Sequence, residues 1–267
     1  MSWTRRYEEA EPQRVNRWLG QSGVCSRREA DGFIAEGLVT IDGEVVTDAG
    51  RKIQPGQTLT LADRAQEKLD GALTIVFHKP EGVVSAQPER GQIPAIRLLT
   101  EDALVGESPL IPDRDTKLAP VGRLDMDSRG LLILSEDGVV AKAVIGPDSE
   151  LDKEYRVEVH GEITARRLAL LRHGLELDGR ALKPAEVEVI EGQTLRFVLK
   201  EGRNRQIRRM CDLVDLAVVD LFRTRIGPLS LGDLPEGRWR ALTADERSAL
   251  LKASMGEQPG GLGHLSP

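Results

Sequence analysis

Between Val121 and Asp137 the chain reads VGRLDMDSRGLLILSED, and this stretch gathers the residue types that could do chemistry. Asp125 and Asp127 supply carboxylates, Arg123 and Arg129 supply guanidiniums, and Ser128 adds a hydroxyl, all interleaved with glycine. An ionised carboxylate held beside a cation can act as a nucleophile or accept a proton. Two carboxylates could also divide acid and nucleophile roles across a glycosidic bond, but residues two apart in one tight turn are poorly placed to flank a bond from opposite sides. The bland alternative is a turn whose Asp and Ser only hydrogen-bond local backbone. The run that follows, Gly130 to Ser135 (GLLILS), is short and apolar and bounded by charged residues, which fits a buried strand better than a helix. The polar turn therefore opens onto a core strand, where side-chain geometry is held more firmly than on a free loop.

A second concentration lies between Lys200 and Arg209, where Lys200, Arg203, Arg205, Arg208 and Arg209 stand against Glu201, a local net charge of +4 in ten residues. The whole chain has 267 residues and a net charge of -6, which argues against a non-specific polyanion binder. Clustered cations in an acidic chain instead suit a specific nucleic-acid site. Cys25 and Cys211 are expected to be plain buried thiols, since no CxxC or Cys/His spacing supports a disulfide or a zinc site. The four histidines are scattered, so no metal is expected. With no apolar stretch of about 18 residues and a polar N-terminus, the expectation is a cytoplasmic protein without a membrane span or signal peptide.

The elements that must position these groups can be read in order. Residues 1–13 lack apolar periodicity and are expected to be a disordered lead. From Val15, the positions Val15, Trp18 and Leu19, and then Ala30, Phe33, Ile34 and Leu38, give two short helices, the second opened by Ser26 with Glu29 as a capping box. Gly37 stops it, and Asp42-Gly43 between apolar runs predicts a type I′ hairpin. Residues 62–72 (ADRAQEKLDGA) read as a linker. Leu73 to Phe77 is a strand entering the His78-Lys79-Pro80-Glu81-Gly82 turn, and Ile93 to Lys117 is expected to be an irregular loop bordering a substrate groove. Lys153 to Val159 alternates in the strand period and turns Tyr155 inward. Strands follow at 187–190, 194–199 and 218–226. The 201–211 segment reads as a helix whose first turn carries the cations, and Thr243 with Glu246 caps a last helix. Residues 253–267 are expected to be a disordered tail.

Gly122-Arg123-Leu124-Asp125, with Ser128, Gly130-Leu131-Leu132 and Asp137-Gly138, closely resembles the catalytic signature of the RNA pseudouridine synthases of the ribosomal small-subunit and F-type families. That likeness implies Asp125 as nucleophile. Lys153-x-Tyr155-x-Val157 is similar to the family's second motif, which implies that Tyr155 lies against the base and helps proton transfer. Gly202-x-Asn204-Arg205-Gln206-Ile207-Arg208-Arg209-Met210 is similar to its third, which implies an ion pair between Arg208 and Asp125. In the 14–61 segment, Arg14-Val15-Asn16, Ser22-Gly23, Cys25 to Ala30, Asp42-Gly43 and Pro55-Gly56 resemble the alpha-L RNA-binding domain.

The resemblance implies an α+β fold, in which a small helix-helix-hairpin RNA-binding domain (14–61) precedes a catalytic domain (73–252) with a mixed, mainly antiparallel central sheet. It implies phosphate contacts by Arg14, Arg17, Arg27, Arg28, Arg123, Lys153, Arg203, Arg205 and Arg209. The expected partner is ribosomal RNA, naked or in a pre-ribosomal particle, acted on by a monomer without a small-molecule cofactor. Asp127-Ser128, Met210-Cys211 and Arg223 to Ile226 lean toward the F-type enzymes of large-subunit ribosomal RNA. The small-subunit enzyme and a non-catalytic RNA chaperone are the rival readings.

Overall fold

Aliphatic side chains build the interior in two places, because the chain folds into two units. In a computed structural model describing residues 3–113, 115–147 and 149–256, one unit takes residues up to Thr74 together with Ser135–Lys142, and the other takes Ile75–Leu134 with the residues from Ala143. Segment 135–142 thus clusters with the first unit rather than inside the expected 73–252 domain; within that unit Lys142 Nζ donates to Gly20 O over 2.7 Å.

In the first unit, helices Val15–Ser22 and Arg27–Ala35 form where the apolar spacing predicts them. Ser26 and Glu29 make the capping box in both directions. Asp42 and Gly43 both have positive φ, 51° and 87°, as a type I′ turn requires. They join Val39–Ile41 to Glu44–Val45 in a four-stranded antiparallel sheet. Two expectations are corrected. The segment read as a disordered lead contains a strand, Thr4–Arg6, paired with Thr58–Leu61. Its anchor is Tyr7, 1% exposed and edge-on to Trp18 at 5.3 Å between centroids; burying an aromatic of that size outweighs the polarity of its neighbours. The stretch read as a linker folds as helix Asp63–Asp70, held to the same core by Ala65 and Leu69.

The second unit is built on one large sheet with the spatial order Glu186–Glu191, Thr194–Leu199, Lys153–His160, Ala217–Ile226, Arg129–Ser135, Thr74–Lys79 and Trp239–Ala241. Most of the pairings are antiparallel. Arg129–Ser135 runs parallel to Ala217–Ile226, with Gly130 opposite Arg223. Helices Ala165–Arg172 and Gln206–Asp212 contribute to a core that includes Val157, Val187, Phe197, Ile207, Met210 and Leu216. The mixed, mainly antiparallel sheet is as expected.

Within 93–117 the described residues hold short 3-10 turns at Ala95–Leu98 and Glu101–Ala103. The last helix, Ala244–Ser254, carries the Thr243–Glu246 capping box, and most of the expected tail lies outside the described residues. Both cysteines are buried, and burial pushes each thiol up to about 12. No helix among the described residues is long and apolar enough to cross a membrane.

Candidate active site

Strand Ala119–Val121 enters a turn at Gly122, whose φ of +82° an L side chain rarely adopts, and the chain emerges into strand Arg129–Ser135, buried from Gly130 onward. The turn between them is clasped from one side. Ser128 N–H donates to Asp125 O (3.1 Å), and Gly82 N–H donates to Met126 O (2.8 Å). Ser85 Oγ both donates to Leu124 O (2.7 Å) and accepts from Leu124 N–H (2.9 Å). The clasping segment is itself fixed, because Lys79, with no exposed surface, donates from Nζ to Pro80 O (2.8 Å) and Val83 O (2.7 Å). Burial lowers the Lys79 ammonium to about 8, an effect that the nearby Asp125 and Asp127 oppose. His78 is buried with Nδ1 2.7 Å from Leu234 O and stacks on Phe222.

The cation beside Asp125 is Arg205, not Arg208. Arg205 Nη1 lies 3.6 Å from Asp125 Oδ2. The same guanidinium grips Asp127 with two hydrogen bonds of 3.1 and 2.9 Å. Arg208 is drawn to Asp127 as well, with Nε 3.3 Å from Oδ2 and Nη2 donating to the Asp127 carbonyl. The expected Asp125–Arg208 pair is therefore replaced by a shared arrangement in which Asp127 collects both arginines. The reason lies at the start of the helix. The regular turns begin at Gln206, while Arg205 sits just before them in the left-handed region, φ 48°, which turns its side chain toward the carboxylates. A non-glycine residue held there is locally strained. The hydrogen bonds from Arg205 hold the Asp127 carboxyl below the usual range despite partial burial. Asp125 and Asp127 thus share the Arg205 cation.

These groups face a cavity of about 530 Å³ lined by Asp125, Tyr155, Arg205, Arg208 and Arg223, with Arg123, Lys153, Lys183 and Lys200 also contributing. Tyr155 packs against the core of the unit and lines the same cavity as Asp125. None of the described residues of 93–117 is among the lining residues, so that described part of the loop does not border this cavity.

The expected phosphate contacts divide sharply. Arg123 is exposed at the cavity. Lys153 is partly buried, donates to Leu151 O (3.3 Å), and is lowered by burial and then by Arg223. Arg203 is committed elsewhere, to the carbonyls of Leu177, Arg180 and Ala181. Arg209 is paired bidentately with Asp178. Those two arginines therefore tether the hairpin Glu176–Leu177/Arg180–Ala181 instead of waiting for phosphate. In the first unit Arg14, Arg17, Arg27 and Arg28 are exposed. Sequence reasoning missed Lys79, Lys183 and Arg223; a lysine ahead of Pro80 and an arginine directly after the apolar pair Leu221-Phe222 were the available signals.

Residues 13–59 match the S4 domain, and residues 73–213, more than half of the chain, match the RNA pseudouridylate synthase family. The chain belongs to the RNA pseudouridylate synthase family. It is 37% identical to an uncharacterized RNA pseudouridine synthase of Mycobacterium tuberculosis, over 92% of this chain and 96% of that one. It is 34% identical to the dual-specificity RNA pseudouridine synthase RluF of Escherichia coli K12, over 90% of this chain and 78% of that one. A solved pseudouridylate synthase has the same fold, with a TM-score of 0.60 at 24% identity over 89% of this chain and 99% of the other. The chain is thus an RNA-modifying isomerase with an N-terminal S4 domain, as its three motifs implied.

Proposed function

We propose that this RNA pseudouridine synthase isomerises a specific uridine of ribosomal RNA, most directly of the large subunit, with Asp125 as the nucleophile on a flipped-out nucleotide. One observation carries the reading: Asp125 and Tyr155 line one cavity, with the Arg205 guanidinium 3.6 Å from the carboxylate. The cavity volume of about 530 Å³ falls in the range of roughly 300–1,000 Å³ that holds small organic groups. A base inside a stack cannot reach such a site, so the uridine is turned out and held by stacking and edge hydrogen bonds. Tyr155 lies against its face.

The reaction breaks the bond between N1 and C1′, turns the uracil, and joins C5 to C1′; C5 loses a proton and N1 gains one, so no atoms enter or leave. The protein must keep a carboxylate ionised in a closed site and provide for the C5 proton. Arg205 supplies the positive charge beside the Asp125 carboxylate, with Nη1 3.6 Å from Oδ2. Asp127, which binds Arg205 and Arg208 more tightly than Asp125 does, orients the cations and leaves Asp125 the less encumbered nucleophile. Arg123 and Lys200 at the cavity edge, with Arg14, Arg17, Arg27 and Arg28 of the S4 domain, hold phosphates. The relative named RluF is described as dual-specificity, so a second RNA target is the finer alternative.

The test uses transcripts of large- and small-subunit ribosomal RNA carrying tritium at uridine C5, which conversion releases to water. The expected outcome is release from large-subunit transcripts by the wild type. With Asp125→Asn, release falls by at least about 10³-fold while RNA affinity stays within a few-fold. RNA binding without release by the wild type would favour the chaperone reading, free uracil would favour hydrolysis, and a substantially active Asn variant would remove Asp125 from the role.

A further inference from the structure

One cation at the cavity has no part in the chemistry assigned to Asp125, Arg205 and Tyr155. Arg223 lies on strand Ala217–Ile226, is 2% exposed, and lines the same cavity as those residues. Its Nε donates to Leu131 O (2.7 Å) and its Nη1 to Arg123 O (3.4 Å). Its Nη2 is buried with no hydrogen-bond partner among the described residues. No carboxylate among them lies within ion-pair distance either, in contrast to Arg129 and Arg225, which pair with Asp220 and Asp152. A buried, charged donor without an acceptor is among the costliest groups a fold can hold.

The placement is enforced by the backbone. Gly130 stands opposite Arg223 in the parallel register with a φ of +112°, and a Cβ there would meet the Arg223 carbonyl oxygen at 2.3 Å. The two strands therefore approach more closely than any other residue at 130 would permit. Nε and Nη1 already pin the side chain, so a purely structural role leaves Nη2 unexplained. Lys153 lines the same cavity and is lowered by burial and then by Arg223, so positive charge is concentrated on that wall.

We infer that Arg223 Nη2 donates a hydrogen bond to a carbonyl oxygen of the flipped uracil and stabilises the negative charge the base carries during the reaction. This rests on the proposed isomerisation. If the N1–C1′ bond breaks first, its electron pair stays with the base and spreads over N1, O2 and O4. If the carboxylate adds to the ring instead, electrons move onto O4. On either route a carbonyl oxygen becomes more negative, and a fixed donor bonded to it is stronger in the transition state than in the bound ground state. A donor at position 4 also rejects cytosine, whose amino group there presents hydrogen instead of an acceptor.

The test is a double-perturbation cycle. Target RNA carrying uridine, 2-thiouridine or 4-thiouridine at the modified position is converted under single-turnover conditions by the wild type, Arg223→Lys and Arg223→Gln, with RNA affinity measured alongside. On ordinary uridine both variants are expected to be slower by about 10²-fold with affinity changed less than about threefold. The wild type is expected to respond to one thio position about tenfold more than the variants do, because sulfur accepts the hydrogen bond poorly. Equal thio effects in wild type and variants overturn the inference. If neither variant folds, the wild type decides: slowing at one thio position and not the other supports the hydrogen bond, and indifference to both overturns it. A wild type that makes no pseudouridine from ordinary RNA would instead bring down the isomerase reading itself.

Discussion

Arg205, Arg208 and Arg209 lie within five residues of one another, and each is held by a carboxylate, Asp127 for the first two and Asp178 for the third. Arg14, Arg17, Arg27 and Arg28 of the S4 domain make no side-chain ion pair among the described residues. The difference shows that density of positive charge along a sequence does not identify the residues available to phosphate. A guanidinium already bound to a carboxylate orients its neighbours and is not free to neutralise a phosphate. An exposed, unpaired arginine is free to, and each phosphate it neutralises releases counterions condensed on the RNA, so most of the salt dependence of binding is expected from the S4 domain, with Arg123 and Lys200 adding the catalytic unit's share, while Arg205, Arg208 and Arg209 serve geometry.

The most deeply engaged cation gives the largest expected effect. Lys79 titrates in the folded state at about 8, below its ordinary value of about 10.4. Between those values the unfolded chain binds more protons than the folded one, so this group makes the wild type more stable as pH rises across that window. Lys79→Met lacks the rise. Urea unfolding at pH 7, 8.5 and 10 should show the wild type gaining on the variant by up to about 3 kcal/mol, and a gap that stays flat would mean that Lys79 is not titrating there.

Removing Arg205 tests engagement at the site itself. Arg205→Ala should slow single-turnover product formation about 100-fold and leave the slope of log affinity against log salt unchanged. A shallower slope would place Arg205 among the groups that neutralise phosphate and break the contrast. Arg27→Ala with Arg28→Ala should do the reverse in binding, weakening RNA affinity roughly tenfold near 0.1 M salt and reducing that slope by about 0.7–0.9 for each phosphate no longer neutralised. The smallest effect is expected for Arg209→Ala, which breaks an exposed pair with Asp178. Unfolding should shift little, because water screens an exposed pair, and the salt slope should not move.

The turn at 122–128 could be read directly, because its residue types and the strand after it are local in sequence. So could both capping boxes and the Asp42-Gly43 hairpin, each decided within four or five residues. The identity of the cation beside Asp125 could not. It depends on whether helix 206–212 starts one residue earlier or later, since neighbouring helical positions point about 100° apart. Arg205 adopts a left-handed conformation that no propensity favours for arginine, and tertiary pairing with Asp127 settles it. The strand at Thr4–Arg6 was hidden for a similar reason: three acids and a proline nearby mask Tyr7, whose partner Trp18 lies eleven residues on. Helix Asp63–Asp70 offers the core little more than Ala65 and Leu69, too faint an apolar stripe to separate it from a linker. Arg223 was legible as a residue but not as a buried one, because its burial follows from Gly130, which lies more than ninety positions away.

The hydrogen bonds of Gly82 and Ser85 to the backbone of Met126 and Leu124 have a consequence for how a target is chosen. A loop stapled at two points on either side of Asp125 has little freedom to mould itself around a visitor. Adjustment on forming the complex therefore falls to the nucleic acid, and uridines in bulges or hairpin tips, which unstack at low cost, become the favoured recipients over those within a continuous helix.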